Sequence, residues 1–125
     1  MMDQISGYRL GMFDGKPDIA WLQPGWRGLR FYGRRAKAAI EDGDIALKGE
    51  MILRAEQLLV MMRRILDTEP GNTLGPALMT IYTALSHTLL RANTENDIAA
   101  LLDYDNALAI LDRDMIKTSE SVIAA

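Results

Sequence analysis

The sequence predicts an all-α fold: an antiparallel up-down four-helix bundle preceded by an irregular N-terminal arm or a short N-terminal helix. Three observations carry that prediction. Apolar residues recur at three- and four-residue steps in four separate stretches. Short segments rich in Gly, Pro, Asn and Asp divide the stretches. Aromatic residues make up only 6% of the chain, while Leu, Ala, Ile and Met are abundant, which suits helix packing better than a sheet.

Residues 1–25 are the least regular part. Gly7, Gly11, Gly15, Pro17, Pro24 and Gly25 interrupt any helical run, yet Ile5, Tyr8, Leu10, Met12, Phe13, Trp21 and Leu22 need apolar cover. This segment reads as an arm or cap lying on the bundle of residues 26–116, and residues 117–125 as a tail expected to fray. The first bundle helix is predicted from Trp26, with Trp26, Leu29, Gly33, Ala36 and Ile40 on one face. The "EDGDI" stretch ends it, because Gly43 can take the left-handed conformation and Asp44 can cap the next helix. A turn that short makes the two helices antiparallel.

The second helix, about Ile45 to Asp67, carries more apolar residues than one face can hold. Ile45, Ile52, Leu59 and Leu66 keep heptad spacing, with Ala55 and Met62 completing the seam. Leu47, Met51, Leu53, Leu58, Val60, Met61 and Ile65 are surplus to it, and the polar stripe is confined to Glu50, Arg54, Gln57 and Arg64. The surplus is explained either by burial against two neighbours or by a groove for a partner helix, a role suited to flexible, polarizable Met.

"TEPGNTLGP" is the next loop, and Pro76 is tolerated in a first helical turn. The third helix, about Pro76 to Ala92, places Leu78, Ile81, Leu85 and Leu89 on one face with Tyr82 beside them. In "ANTEND", Asn93 is expected to close that helix and Asn96 to cap the fourth. The fourth helix, about Asp97 to Met115, sets Leu101, Tyr104, Leu108, Leu111 and Met115 against Asp103, Asp105 and Asp112.

Composition excludes several function classes. With 14 Lys plus Arg against 17 Asp plus Glu, the net charge is -3, which offers no overall attraction to nucleic acid or an anionic membrane. No window approaches the ~18 apolar residues of a membrane span, and Asp3 and the broken apolar run after it are unlike a cleaved signal. The absence of Cys fits a reducing compartment, so the expected location is the cytoplasm. His87 is the only histidine and has no Glu three residues before it, so neither a metal site nor a Ser-His relay is expected. No catalytic residue and no cofactor is expected. One enzyme-like alternative, a histidine-containing phosphotransfer domain, would need His87 exposed beside a cation and a Gly. Leu90 and Arg91 stand at the positions where that family has Lys and Gly support. A helical adaptor for some other partner is the remaining alternative.

Two stretches carry a resemblance to a known family. "RRAKAAIEDGDIALKGEMILRA" resembles the first turn of the flagellar secretion chaperones of the FliS family, where an Ala- and Arg-rich helix ends in Glu-x-Gly-Asp and the next opens with a Lys-Gly step. "IYTALSHTLLRANTEND" resembles that family's third helix and the entry to its fourth. The likeness runs from about Gly28 to Leu111. It implies a four-helix bundle that binds the disordered C-terminal segment of flagellin in the cytoplasm, prevents premature polymerisation and presents the cargo to the flagellar export gate, with no reaction and no cofactor. The partner-binding residues it suggests are Tyr8 and Leu10 of the arm, Leu58 and Met61 of the second helix, and Tyr82, Leu85, Leu89 and Asn93 of the third. An exposed groove could also support a weak homodimer. The sequence departs from the family pattern at Pro17 and at Pro24, where the first helix is expected to kink or restart.

Overall fold

The computed structural model describes residues 19–66 and 74–124, with the side chains of 22–66 and 74–114. Among the described residues there are four helices: α1 (Ile19–Asp42), α2 (Ile45–Arg64), α3 (Leu74–Glu95) and α4 (Ile98–Ala124). Each helix packs on the next in chain order, and α4 closes the ring against α1. Contacts between side chains fix the antiparallel sense. Gly25 and Gly28 of α1 lie against Met62 and Leu58 of α2, Gln23 and Arg30 of α1 reach Asp112 and Asp105 of α4, and Ser86 of α3 donates to Glu56 of α2.

The first inter-helix turn works as its residues suggest. Gly43 sits at φ 73°, its N–H bonded to the Ile40 carbonyl and the Asp44 N–H to the Ala39 carbonyl, which satisfies the end of α1. Asp44 then accepts from the Leu47 N–H at 3.0 Å and opens α2. The second short turn divides its roles differently from the expectation. Asn93 stays inside α3, Asn96 takes the left-handed conformation at φ 52°, and Asp97 is the residue whose side chain caps α4 by accepting from the Ala100 N–H. Asn tolerates that backbone region, and Asp brings a negative charge to a helix N-terminus.

Two other boundaries differ. Helix α1 begins at Ile19 rather than Trp26 and runs continuously through Pro24. Pro24 stands in the second turn, so its missing N–H removes one ladder bond, to the carbonyl of Ala20, and Leu22 joins the core. Helix α4 continues through Ala124, taking in most of the stretch expected as a tail. Tyr8, Leu10 and the rest of residues 1–18 lie outside the described residues.

The core is a layered apolar interior. Trp26 and Tyr82 meet across its diagonal, both fully buried, with the indole N–H donating to the Tyr82 hydroxyl at 3.0 Å. Around them lie Leu22, Leu29, Leu59, Leu66, Leu78, Leu89, Leu101 and Leu108. Tyr104 is buried too and donates to the Leu29 carbonyl at 2.8 Å, so both buried phenols have partners, as desolvated hydroxyls require.

Candidate functional site

The surplus apolar residues of α2 are sorted by the neighbours that stand on either side of it. Of the heptad seam, Ile52, Ala55, Leu59, Met62 and Leu66 are buried. Ile45 is not: at 72% exposure it stands at the start of α2, beyond the level where the Lys48 side chain closes the bundle. Met51 is buried as well, and Leu47, Leu58 and Ile65 are half-buried. Leu53, Val60 and Met61 remain exposed, and they fall on two different seams.

One seam lies between α2 and α3. Glu56 accepts from Ser86 across it, so the residues flanking Glu56 on that side of α2, Leu53 and Val60, border α3. Leu90 is one turn along α3 from Ser86, and the antiparallel register brings it level with Leu53. Leu53 is 57% exposed and Leu90 61%. Between Ile45 and Leu53 on the same row stands Gly49, where a Cβ would meet nothing within 4 Å. The result is an exposed apolar strip formed by Leu53, Val60 and Leu90, with open space at Gly49. One Glu56 carboxylate oxygen is buried here without a hydrogen-bond partner among the described residues.

The other seam lies between α1 and α2. These two helices are in closer contact, because Gly25 and Gly28 let α2 approach α1: a Cβ at Gly28 would be 3.1 Å from Leu58 Cδ2. Leu58 therefore packs into this seam and Met61, 58% exposed, stands at its rim.

The residues expected to bind a partner are thus separated. Leu58 and Met61 belong to the α1/α2 seam. Tyr82, Leu85 and Leu89 are buried in the core, on the inward face of α3. Their spacing, with Leu78 and Ala92, is the inward face of α3, and the hydroxyl of Tyr82 is taken up by Trp26. Burial pushes the Tyr82 phenol up to about 12 despite that hydrogen bond. Asn93 is exposed, and its part in the structure is played by its backbone carbonyl. That carbonyl and the Asn96 side chain receive the ammonium of Lys48, a buried cation reaching from α2 to the C-terminal end of α3. Of the residues bordering the α2/α3 seam that the expectation omitted, Leu53 and Val60 carried a sequence signal as unassigned apolar surplus, whereas Gly49 and Leu90 carried none as binding residues.

His87 is exposed on α3 and so is not a core histidine. The neighbouring Arg91 is directed to Asp97 at 3.4 Å, toward the start of α4. Exposed Leu90 stands on the other side.

Residues 27–114 match the family model described as "Flagellar protein FliS". The chain belongs to the FliS family. The match takes in α1 from Arg27, all of α2 and α3, and α4 to Asp114. The chain is also 30% identical over 76 residues to the flagellar secretion chaperone FliS of Salmonella typhimurium, covering 60% of this chain and 56% of that protein. To the flagellar secretion chaperone FliS of Vibrio cholerae it is 30% identical over 69 residues, 55% of this chain and 51% of the relative. The chain thus spans a little over half the length of these relatives. Both stretches that resemble the family lie within the matched region, and Lys48 joins them physically: it follows the Asp44 cap and bonds to the Asn93–Asn96 end of α3. No helix among the described residues is long and apolar enough to cross a membrane.

Proposed function

We propose that this chain is a cytoplasmic flagellar export chaperone that holds the disordered C-terminal segment of a flagellin in the α2/α3 groove, blocks its premature polymerisation and carries it to the export gate. The observation that carries the reading is the exposure of Leu53 and Leu90 at one level of one seam, beside the opening at Gly49. Family membership and the two relatives, both flagellar secretion chaperones, support it. A groove of this kind takes the apolar side of an amphipathic helix, and its work is binding without chemistry.

Calorimetry with a flagellin C-terminal peptide tests this. A cargo that folds on binding buries roughly 1,000–3,000 Å² and gives a negative heat-capacity change. Gly49→Leu fills the open space and Leu53→Asp places a charge on the groove wall, and each should weaken binding about tenfold or more, as loss of a central contact does. Both positions face solvent, so circular dichroism should show an intact bundle. Full-strength binding by both folded variants would remove the groove from the reading. For the phosphotransfer alternative, incubation with a phosphorylated response regulator should leave His87 unlabelled, and acid-labile phosphate on His87 would favour that alternative.

A further inference from the structure

Glu56 stands in the middle of the apolar strip that α2 presents beside α3. Leu53 lies one turn before it and Val60 one turn after it on the same side of the helix, and both are exposed. A carboxylate needs donors or water at both oxygens, and here one oxygen has neither and the other only a long bond. Oε1 is shut away from solvent and has no donor among the described residues. Oε2 accepts from the Ser86 hydroxyl at 3.4 Å, well beyond the ~2.8 Å usual for a hydroxyl donor. No Lys or Arg among the described residues forms an ion pair with Glu56. Tyr104 offers no help from the interior. Its phenol is pushed up chiefly by burial and next by the charge of Glu56, but its one hydroxyl proton goes to the Leu29 carbonyl at 2.8 Å.

A helix laid over Leu53 and Val60 would strip the remaining water from the half-buried Glu56 side chain. If that helix were wholly apolar at this level, the carboxylate would lose its hydration and gain nothing in return. A donor on the helix would supply the missing bond. The carboxylate is held inward by the single long Ser86 bond, so little opposes its turning outward to meet such a donor.

We propose that Glu56 is a specificity-determining residue of the α2/α3 strip. It selects a partner helix that carries a hydrogen-bond donor, flanked one turn on either side by apolar residues that cover Leu53 and Val60. The proposal rests on the reading of this strip as the cargo-binding surface and adds the chemistry that the cargo must present there. A segment with only apolar residues at that level is rejected because it leaves the carboxylate dry and unpaired. One with Asp or Glu is rejected because it sets acceptor against acceptor.

Fluorescence anisotropy with the full chain tests the proposal, using three labelled helical peptides of about 18 residues, or five turns. They share a Leu stripe and differ only at its central position, which is Gln, Leu or Glu. Gln serves as the donor in place of Lys so that general attraction to a chain of net charge -3 does not enter. The Gln peptide should bind about tenfold more tightly than the Leu peptide, in keeping with the cost of an unpaired buried acceptor, and the Glu peptide more weakly than either. In Glu56→Leu the order of the Gln and Leu peptides should invert. Circular dichroism should show that variant folded, since it removes a buried oxygen that has no donor. Ser86→Ala, which removes the competing hydroxyl, should keep the preference for Gln. Equal binding of the Gln and Leu peptides to the parent, the result expected if a trapped water serves Oε1, would overturn the proposal. So would a Gln preference that survives Glu56→Leu. Either failure leaves the strip reading standing if Leu53→Asp still weakens all three peptides. Binding by none of the three would also overturn the proposal, and the flagellin C-terminal peptide then shows whether the strip reading falls with it.

Discussion

Replacing Gly33 by Ala should destabilise the bundle, although alanine is the better helix former. Gly33 lies in the middle of α1, where the helix-propensity gain of Ala over Gly is about 1 kcal/mol. Against that gain, the new Cβ would stand 2.6 Å from Tyr104 Cε1 and 2.9 Å from Cδ1. The ring cannot swing aside freely, since it is buried and its hydroxyl is anchored to the Leu29 carbonyl at 2.8 Å. Either α1 and α4 separate or the ring moves and its hydrogen bond breaks. Overpacking of this kind costs about 1–3 kcal/mol, and loss of the bond adds about 1 kcal/mol. The net change should be a destabilisation of about 1–3 kcal/mol, or a fall in Tm of about 4 °C per kcal/mol. Gly49→Ala supplies the opposite case, because the same substitution meets nothing within 4 Å and should raise stability by up to about 1 kcal/mol. Gly25→Ala should fall between them, since the obstructing atoms, Met62 Cε at 2.5 Å and Sδ at 2.8 Å, are the far end of a flexible side chain. Urea unfolding followed by circular dichroism ranks the three. If Gly33→Ala unfolds at or above the parent's midpoint with an unchanged m-value, the close approach of α1 to Tyr104 is refuted.

Tyr82→Phe keeps the ring and removes the acceptor of the Trp26 indole N–H, leaving a buried donor unsatisfied at a cost of about 1–3 kcal/mol in urea unfolding. The same variant should lose part of the alkaline instability of the parent. Burial raises the Tyr82 phenol from 10.0 to about 12, so between those values the unfolded chain gives up a proton that the folded one retains, and stability declines with rising pH. Asp105→Asn probes the acid side. The hydrogen bond from Arg30, opposed by desolvation and aided by Arg34, holds the Asp105 carboxyl below its ordinary 3.8. Its contribution is fully present above that value and is lost as pH falls below it, so the stability gap between parent and Asp105→Asn should be widest near neutral pH and close in acid. A gap that stays constant from pH 7 down to the acid transition would mean that the Arg30–Asp105 pair contributes nothing.

Family membership was legible because the stretches that carry it are continuous in sequence, and so were the local devices within them. Gly43 closing α1 and Asp44 capping α2 involve partners within five residues, and side-chain chemistry alone specifies them. The four helices were legible from their apolar period, which also identified most of the core, including Trp26, Leu29, Leu59, Leu78, Leu101 and Leu108. The start of α1 was not, because a proline's cost depends on where it falls in the helix, and Pro24 lies near enough to Ile19 that only one bond is lost.

What the sequence by itself determined, then, is the angle of each side chain about its own helix axis. Only the packed bundle decided which neighbour stands at that angle. Leu58 and Leu53 are equally apolar members of the same helix, yet Gly28 brings α1 against the first, while Gly49 leaves the second beside an open groove facing α3. The sequence placed Tyr82 beside the apolar face of its helix, and only the packed bundle brought it Trp26, 56 residues away in sequence, as the donor to its buried hydroxyl. Asp105 read as a surface charge and Lys48 was assigned to no face, and both are ties between helices because their partners, Arg30 with Arg34 and Asn93 with Asn96, arrive from distant segments. Periodicity is a property of one helix, whereas a groove, a buried cation or a bridging carboxylate is a property of two, and chain folding alone brings the second into place.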